Sequence, residues 1–136
     1  MRHKIADNIY VGDDSECRNE DGWVVLHACK TCFKKEDKNA NDLYLNIIDP
    51  VEPLFNIGLF KDAIDFIKEN VNDKKILIHC NKGVSRSPSI AMLYVFGNLD
   101  YWEALYNMAT TYPKFQPSMG INTYMGDNWD ELKKLL

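Results

Sequence analysis

The chain has 136 residues, of which 46% are hydrophobic and 26% charged, and its formal net charge at pH 7 is −4. This length suits one globular unit, and we expect residues 1–136 to form a single domain. The acidic balance disfavours a broad nucleic-acid or membrane surface, because both need a concentration of basic residues. We therefore expect neither nucleic acid nor a membrane as partner, although a local positive site would suffice for one phosphate group.

The N-terminal residues contain no apolar core of a secretory signal, and no apolar run is long enough to span a bilayer. The sequence therefore predicts a cytoplasmic location, where the cysteines at positions 17, 29, 32 and 80 would stay reduced. It does not indicate an oligomeric state.

Apolar runs bounded by turn residues predict three strands in the first half of the chain. The second run is apolar almost throughout, which is typical of a strand buried on both faces. A polar segment from Phe33 to Asp42 predicts a solvated loop before the third run. The predicted strands are Asn8–Gly12, Trp23–Ala28 and Leu43–Ile48.

The second half of the chain predicts one further apolar strand and four helices, the last of them interrupted at Gly120 and Gly126. Strands interleaved with helices indicate an α/β fold with a central, mostly parallel sheet of about four to five strands flanked by helices. The predicted strand is Lys75–His79, and the predicted helices are Leu59–Lys68, Arg86–Asn98, Tyr101–Thr111 and Ser118–Leu136.

The segment His79–Pro88 lies between a buried strand and a helix, where an α/β sheet presents its ligand crevice. The six backbone amides of Asn81–Arg86 are able to surround one anion at the positive end of the helix. Gly83 permits a conformation that a side chain would resist. Arg86 offers a planar fork that suits two phosphate oxygens.

These positive groups are also expected to favour the thiolate of Cys80, which is the nucleophilic form of cysteine. Ser87 is expected to donate a hydrogen bond to the sulfur, and His79 to orient the loop rather than to exchange protons. The alternative is a buried, inert cysteine with an arginine nearby by chance. The histidine, glycine and serine around it, and the strand–loop–helix setting, argue against that alternative.

The motif His-Cys-x-x-Gly-x-x-Arg-Ser resembles the signature loop of the protein tyrosine phosphatase superfamily, and the compact length resembles its dual-specificity branch. Weaker similarity runs from about Ile5 to Met125. The resemblance implies a phosphotyrosine protein phosphatase-like fold. It also implies phosphate-monoester hydrolysis through a phosphocysteine intermediate, without a metal or another cofactor. The implied substrate is a phosphorylated protein or peptide carrying phosphotyrosine, and phosphoserine or phosphothreonine as a further option.

The leaving oxygen needs a proton, and the donor should come from another loop at the same edge of the sheet. Asp49 meets that condition because it ends the third predicted strand, and dual-specificity phosphatases resemble this arrangement in placing their acid there. The alternative is that Asp49 only caps a turn before Pro50. Asp42 is a rival acid, but it stands at the opposite end of the strand.

The predicted site therefore has two groups of residues. The catalytic group is Cys80, Arg86, Asp49 and Ser87. The phosphate-binding group is Asn81, Lys82, Gly83, Val84, Ser85 and Arg86.

Cys29 and Cys32, with His27 close by, offer three ligand types that zinc accepts. A fourth ligand is missing unless Cys17 joins them, so we favour small apolar side chains at the end of a buried strand. A redox role for these thiols is a further alternative.

The segment Lys114–Ile121 is similar to a Pro-Asn-x-Gly-Phe stretch of dual-specificity phosphatases, with Ser118 in the place of the asparagine. That asparagine usually buttresses the phosphate-binding loop. Two other functions stay open at this point: a phosphatase of an inositol lipid or an RNA 5′-phosphate, and a phosphate-binding module with little turnover.

Overall fold

The structure is a computed structural model that describes residues 2–30, 32, 40–49 and 51–136. A five-stranded sheet forms its centre, with the spatial order β1-β2-β5-β3-β4. β1 runs antiparallel to β2, and the other three pairings are parallel. This confirms the predicted α/β fold. The strands are β1 His3–Ala6, β2 Ile9–Gly12, β3 Trp23–His27, β4 Asp42–Tyr44 and β5 Lys75–His79.

In the described residues four α-helices surround the sheet, and a 3₁₀ turn, Asp14–Glu16, follows β2. β5 lies at the centre, and its residues Ile76, Leu77 and Ile78 have no exposed surface, so the strand is covered on both faces. None of the helices in the described part of the chain combines the length and the apolar character needed to cross a bilayer. The helices are α1 Ile57–Asn70, α2 Arg86–Phe96, α3 Tyr101–Thr111 and α4 Met119–Lys133.

The strand predictions needed two corrections at the edges of the sheet. β1 was not predicted, because only Ile5 of its four residues is buried and the strand carries no apolar alternation. The third predicted strand, Leu43–Ile48, is wrong in its extent, since β4 covers only Asp42–Tyr44. Asn46 takes the left-handed conformation with φ of 54°, which ends the extended backbone.

The prediction that α4 is interrupted at Gly120 and Gly126 is wrong. The helix continues through both glycines, and its irregular residue is Asn128. A side chain at position 126 would meet the ring of Tyr101 at 3.2 Å, so this glycine allows close helix packing. Most of the predicted loop from Phe33 to Asp42 lies outside the described residues.

Candidate active site

The loop from β5 to α2 places the Cys80 thiol at the N-terminus of α2, beneath the surface and with 1% of its area exposed. The Oγ of Ser87 lies 3.3 Å from Cys80 Sγ and 3.5 Å from the carbonyl oxygen of Gly12. Its one proton therefore has two acceptors within reach. If the Cys80 thiol is ionised, the Ser87 hydroxyl should donate to the sulfur rather than to Gly12 O, because a charged acceptor makes the stronger hydrogen bond.

Three carbonyl groups of this loop are directed away from the cavity, toward other parts of the chain. In a trans peptide the N–H points opposite to the C=O. When the C=O of one residue is directed away from the cavity, the N–H of the following residue is therefore directed toward it. Those amides belong to Lys82, Val84 and Ser85. The three hydrogen bonds run from Asp14 N to Asn81 O at 3.2 Å, from Tyr112 Oη to Gly83 O at 2.6 Å and from Gln116 N to Val84 O at 2.7 Å.

Gly83 has φ of +70°, a conformation that residues with a side chain rarely adopt. A Cβ built there would stand 2.9 Å from the carbonyl oxygen of Gly12. The loop and the end of β2 can approach this closely only because residue 83 is glycine.

The Arg86 guanidinium is buried and held from two sides. Nη1 donates to the carbonyl oxygen of Ile47 at 2.6 Å, and Nη2 donates to Asn81 Oδ1 at 3.1 Å. Its Nε makes no hydrogen bond within the described residues. The arginine is thus fixed at the cavity wall with donor capacity left for an anion.

Asp49 is half-buried, and its Oδ1 accepts a hydrogen bond of 2.5 Å from Ser118 Oγ. The backbone N of Ser118 donates to Ser85 Oγ at 2.9 Å. Ser118 therefore contacts both the predicted acid and the phosphate-binding loop. The residue in the place of the usual asparagine thus contacts the loop through its backbone amide.

A cavity of about 290 Å³ opens at the N-terminus of α2 and brings most of the predicted site together. Gly83, Ser87 and His79 do not line it and instead support the loop from behind. Asp42 lies elsewhere, because its carboxylate binds His27 Nε2 at 2.8 Å and the amide of Asn19. The lining residues are Asp49, Cys80, Asn81, Lys82, Val84, Ser85 and Arg86.

His79 is fully buried, and burial, helped by the neighbouring His27, lowers its pKa to about 4. Its Nε2 lies 2.8 Å from His27 Nδ1, and its Nδ1 lies 3.5 Å from Asp14 Oδ1. A histidine that is neutral at pH 7 and enclosed by other side chains suits the orienting role predicted for it. Burial also raises the pKa of the Cys17 and Cys32 thiols.

Tyr112 supports the loop in a way that sequence analysis missed. Its side chain is buried, and burial raises its pKa to about 12, so the phenol stays a protonated donor to Gly83 O. The sequence offers no signal for this contact, because 29 residues separate the two groups and an aromatic residue near a helix end usually packs into the core.

We predict that Tyr112→Phe lowers the free energy of unfolding by about 1–3 kcal/mol, because a buried carbonyl loses its partner. Urea denaturation followed by circular dichroism measures the change. Tyr106→Phe is the matched control, since that side chain is 74% exposed. Equal effects of the two substitutions would contradict the supporting role of Tyr112.

A sequence model described as "Dual specificity phosphatase, catalytic domain" matches residues 18–125. The chain belongs to the dual specificity phosphatase family. The members of this family are cysteine-based protein phosphatases. The match contains Asp49 and the whole of the loop that carries Cys80 and Arg86.

Individual relatives agree with this family. The chain is 35% identical over 107 residues to tyrosine-protein phosphatase vhp-1 of Caenorhabditis elegans, covering 67% of this chain and 15% of that protein. It is 28% identical over 107 residues to dual specificity protein phosphatase 22-A of Danio rerio, covering 74% and 51%. The chain thus spans between 15% and 51% of the length of these relatives.

The fold agrees as well. The crystal structure of human DUSP28 superimposes with a TM-score of 0.79 at 14% identity, and the superposition covers 100% of both chains. At this identity the likeness supports the fold alone.

Proposed function

We propose that residues 1–136 act as a single catalytic domain that hydrolyses phosphate monoesters on proteins, through a phosphocysteine intermediate. The observation that carries the proposal is the shared cavity, which is lined by a buried thiol, a fixed guanidinium and a carboxyl group. Phosphotyrosine is the main substrate, and phosphoserine and phosphothreonine are secondary ones.

In the first step the phosphoryl group lies against the loop amides and Arg86, which hold the charge on its equatorial oxygens. The Cys80 sulfur attacks phosphorus, and the bond to the leaving oxygen breaks. Asp49 gives that oxygen its proton. The products of this step are the dephosphorylated side chain and phosphocysteine.

In the second step a water molecule attacks the phosphocysteine. Asp49, which is now ionised, accepts a proton from that water. The sulfur leaves as a thiolate, and Ser87 stabilises it by turning its hydroxyl proton from Gly12 O toward Cys80. Inorganic phosphate is released, and both catalytic groups return to their initial states.

The charge around the cavity favours a protein substrate. Among the described residues, its lining contains two cationic side chains, Lys82 and Arg86, and one carboxyl group, Asp49. RNA ends and inositol lipids present further phosphates outside the reacting group, and binding those would need additional basic residues. One phosphate on an otherwise neutral side chain matches this lining better.

The direct test is a panel of substrates assayed for phosphate release under identical conditions. It contains one peptide with phosphotyrosine, phosphoserine or phosphothreonine at the same position, a phosphoinositide and a 5′-phosphorylated RNA. We expect the highest kcat/KM for the phosphotyrosine peptide. A higher value for the lipid or the RNA would overturn the protein substrate, and tight peptide binding without release would indicate a binding module.

A further inference from the structure

Four potential metal ligands from separate segments meet behind the phosphate-binding loop. Cys17 follows the 3₁₀ turn, His27 ends β3, His79 ends β5, and Cys32 lies five residues beyond His27. One ligand atom from each residue lies within 4.8 Å of the other three. None of these residues lines the cavity that contains Cys80.

The spacing of these atoms approaches a tetrahedral zinc site. With Zn–S near 2.3 Å and Zn–N near 2.0–2.1 Å, tetrahedral geometry separates two sulfurs by about 3.8 Å and a sulfur from a nitrogen by about 3.6 Å. The two sulfurs, of Cys17 and Cys32, stand 3.7 Å apart. Cys17 Sγ lies 3.6 Å from His27 Nδ1, and Cys32 Sγ lies 3.4 Å from His79 Nε2.

Among these four contacts, the pair of imidazole nitrogens departs most from the tetrahedral spacing. They lie 2.8 Å apart, whereas tetrahedral zinc separates two nitrogens by about 3.3 Å. The required shift is about half an ångström. The rings are almost perpendicular, with an angle of 86° between their planes, so both can direct a nitrogen at one central point.

The remaining nitrogen of each histidine faces a carboxylate, as is usual for metal-bound imidazoles. His27 Nε2 lies 2.8 Å from Asp42 Oδ1, and the Asn19 amide in turn contacts both Asp42 oxygens at 2.9 and 3.0 Å. On the other side, His79 Nδ1 lies 3.5 Å from Asp14 Oδ1. These contacts orient the two rings so that His27 Nδ1 and His79 Nε2 lie near the sulfurs.

A second set of ligands replaces Cys17 and His27 with Cys29 and Asp14. It fits less well, because Cys29 Sγ lies only 3.0 Å from Cys32 Sγ, much closer than two sulfurs on one zinc ion. Cys29 donates its S–H to Cys32 instead, which suits a neighbour of a bound thiolate.

We propose that Cys17, His27, Cys32 and His79 bind one Zn²⁺ in a closed, structural site. Binding converts the two thiols to thiolates and releases their protons to solvent, while both imidazoles bind as neutral ligands. The ion would link the 3₁₀ turn, β3 and β5. One of its ligands, His79, directly precedes the nucleophile Cys80. This departs from the expectation that Cys32, like Cys29, is only a small apolar side chain at the end of a buried strand.

The experiment measures zinc bound per chain after reduction, removal of metal with a chelator, incubation with excess Zn²⁺ and gel filtration. It uses the Cys80→Ser variant throughout, so that zinc on the nucleophile does not contribute. We expect about one zinc per chain. Replacing Zn²⁺ with Co²⁺ should give the visible bands of tetrahedral cobalt and a thiolate charge-transfer band.

Cys17→Ser and Cys32→Ser should each remove nearly all the bound zinc and the charge-transfer band, whereas Cys29→Ser, the matched control, should keep both. Asp42→Asn should raise the zinc dissociation constant about 10–100-fold. Melting curves in chelator must agree between each variant and its parent, which separates loss of a ligand from loss of the fold. Zinc binding that survives Cys17→Ser or disappears with Cys29→Ser would overturn the proposed ligand set, and no binding by the parent would overturn the site.

Discussion

Replacing Cys80 with serine is expected to reduce turnover of a phosphotyrosine peptide by roughly 10⁴-fold or more, a loss typical of removing an enzymic nucleophile. A serine hydroxyl is far less acidic than a thiol, so the N-terminus of α2 and Arg86 cannot make it an effective nucleophile at neutral pH. The substitution changes one buried atom, from sulfur to oxygen, beside Ser87. Phosphate release over hours at high enzyme concentration measures the residual rate.

The anion site itself should survive this substitution, because the amides and Arg86 are unchanged. Inorganic phosphate should therefore still raise the melting temperature of Cys80→Ser, with a stabilisation of about 2.7 kcal/mol when its concentration is 100 times the dissociation constant. Cys29→Ser changes another buried thiol and should keep full activity. Undiminished turnover by Cys80→Ser would refute the covalent mechanism.

Asp49→Asn is expected to lower kcat for the phosphotyrosine peptide about 10²–10⁴-fold, the usual contribution of a general acid. Asparagine keeps the size of the side chain and an oxygen that still accepts from Ser118 Oγ. It cannot give the leaving phenolate a proton, and the tyrosine phenol, with a pKa near 10, leaves poorly without one.

A better leaving group distinguishes loss of the acid from general damage to the site. With p-nitrophenyl phosphate, whose phenolate is stable without protonation, the deficit of Asp49→Asn should be much smaller. Asp62→Asn removes an exposed carboxyl group of α1 and should change neither rate. An equal deficit with both substrates would assign Asp49 a structural role and move the acid elsewhere.

Structural features that form from consecutive residues could be predicted from the sequence. Lys75–His79 is an apolar run, and the ten residues that follow carry the glycine, arginine and helix start that a phosphate-binding loop requires. The loop forms from consecutive residues, so its geometry follows from the local pattern. Asp49 also lies at the cavity that this loop lines, although it stands five residues beyond the end of β4 rather than at the end of a strand as predicted.

The contacts between distant segments could not be predicted. Arg86 is held by Ile47, which lies 39 residues away, and Asp49 is held by Ser118, which lies 69 residues away. Both bonds depend on the strand order β1-β2-β5-β3-β4, which short-range patterns do not encode. Cys17 is a similar case, since only the folded chain brings it beside Cys32.

The bond from Arg86 to the Ile47 carbonyl has a consequence for the kinetics of the proposed reaction. Ile47 lies two residues before Asp49, so the side chain proposed to hold the phosphoryl group also anchors the backbone that carries the proposed proton donor. Phosphate binding by Arg86 and proton donation by Asp49 would therefore depend on the same hydrogen bond, and disturbing it would lower both substrate affinity and kcat.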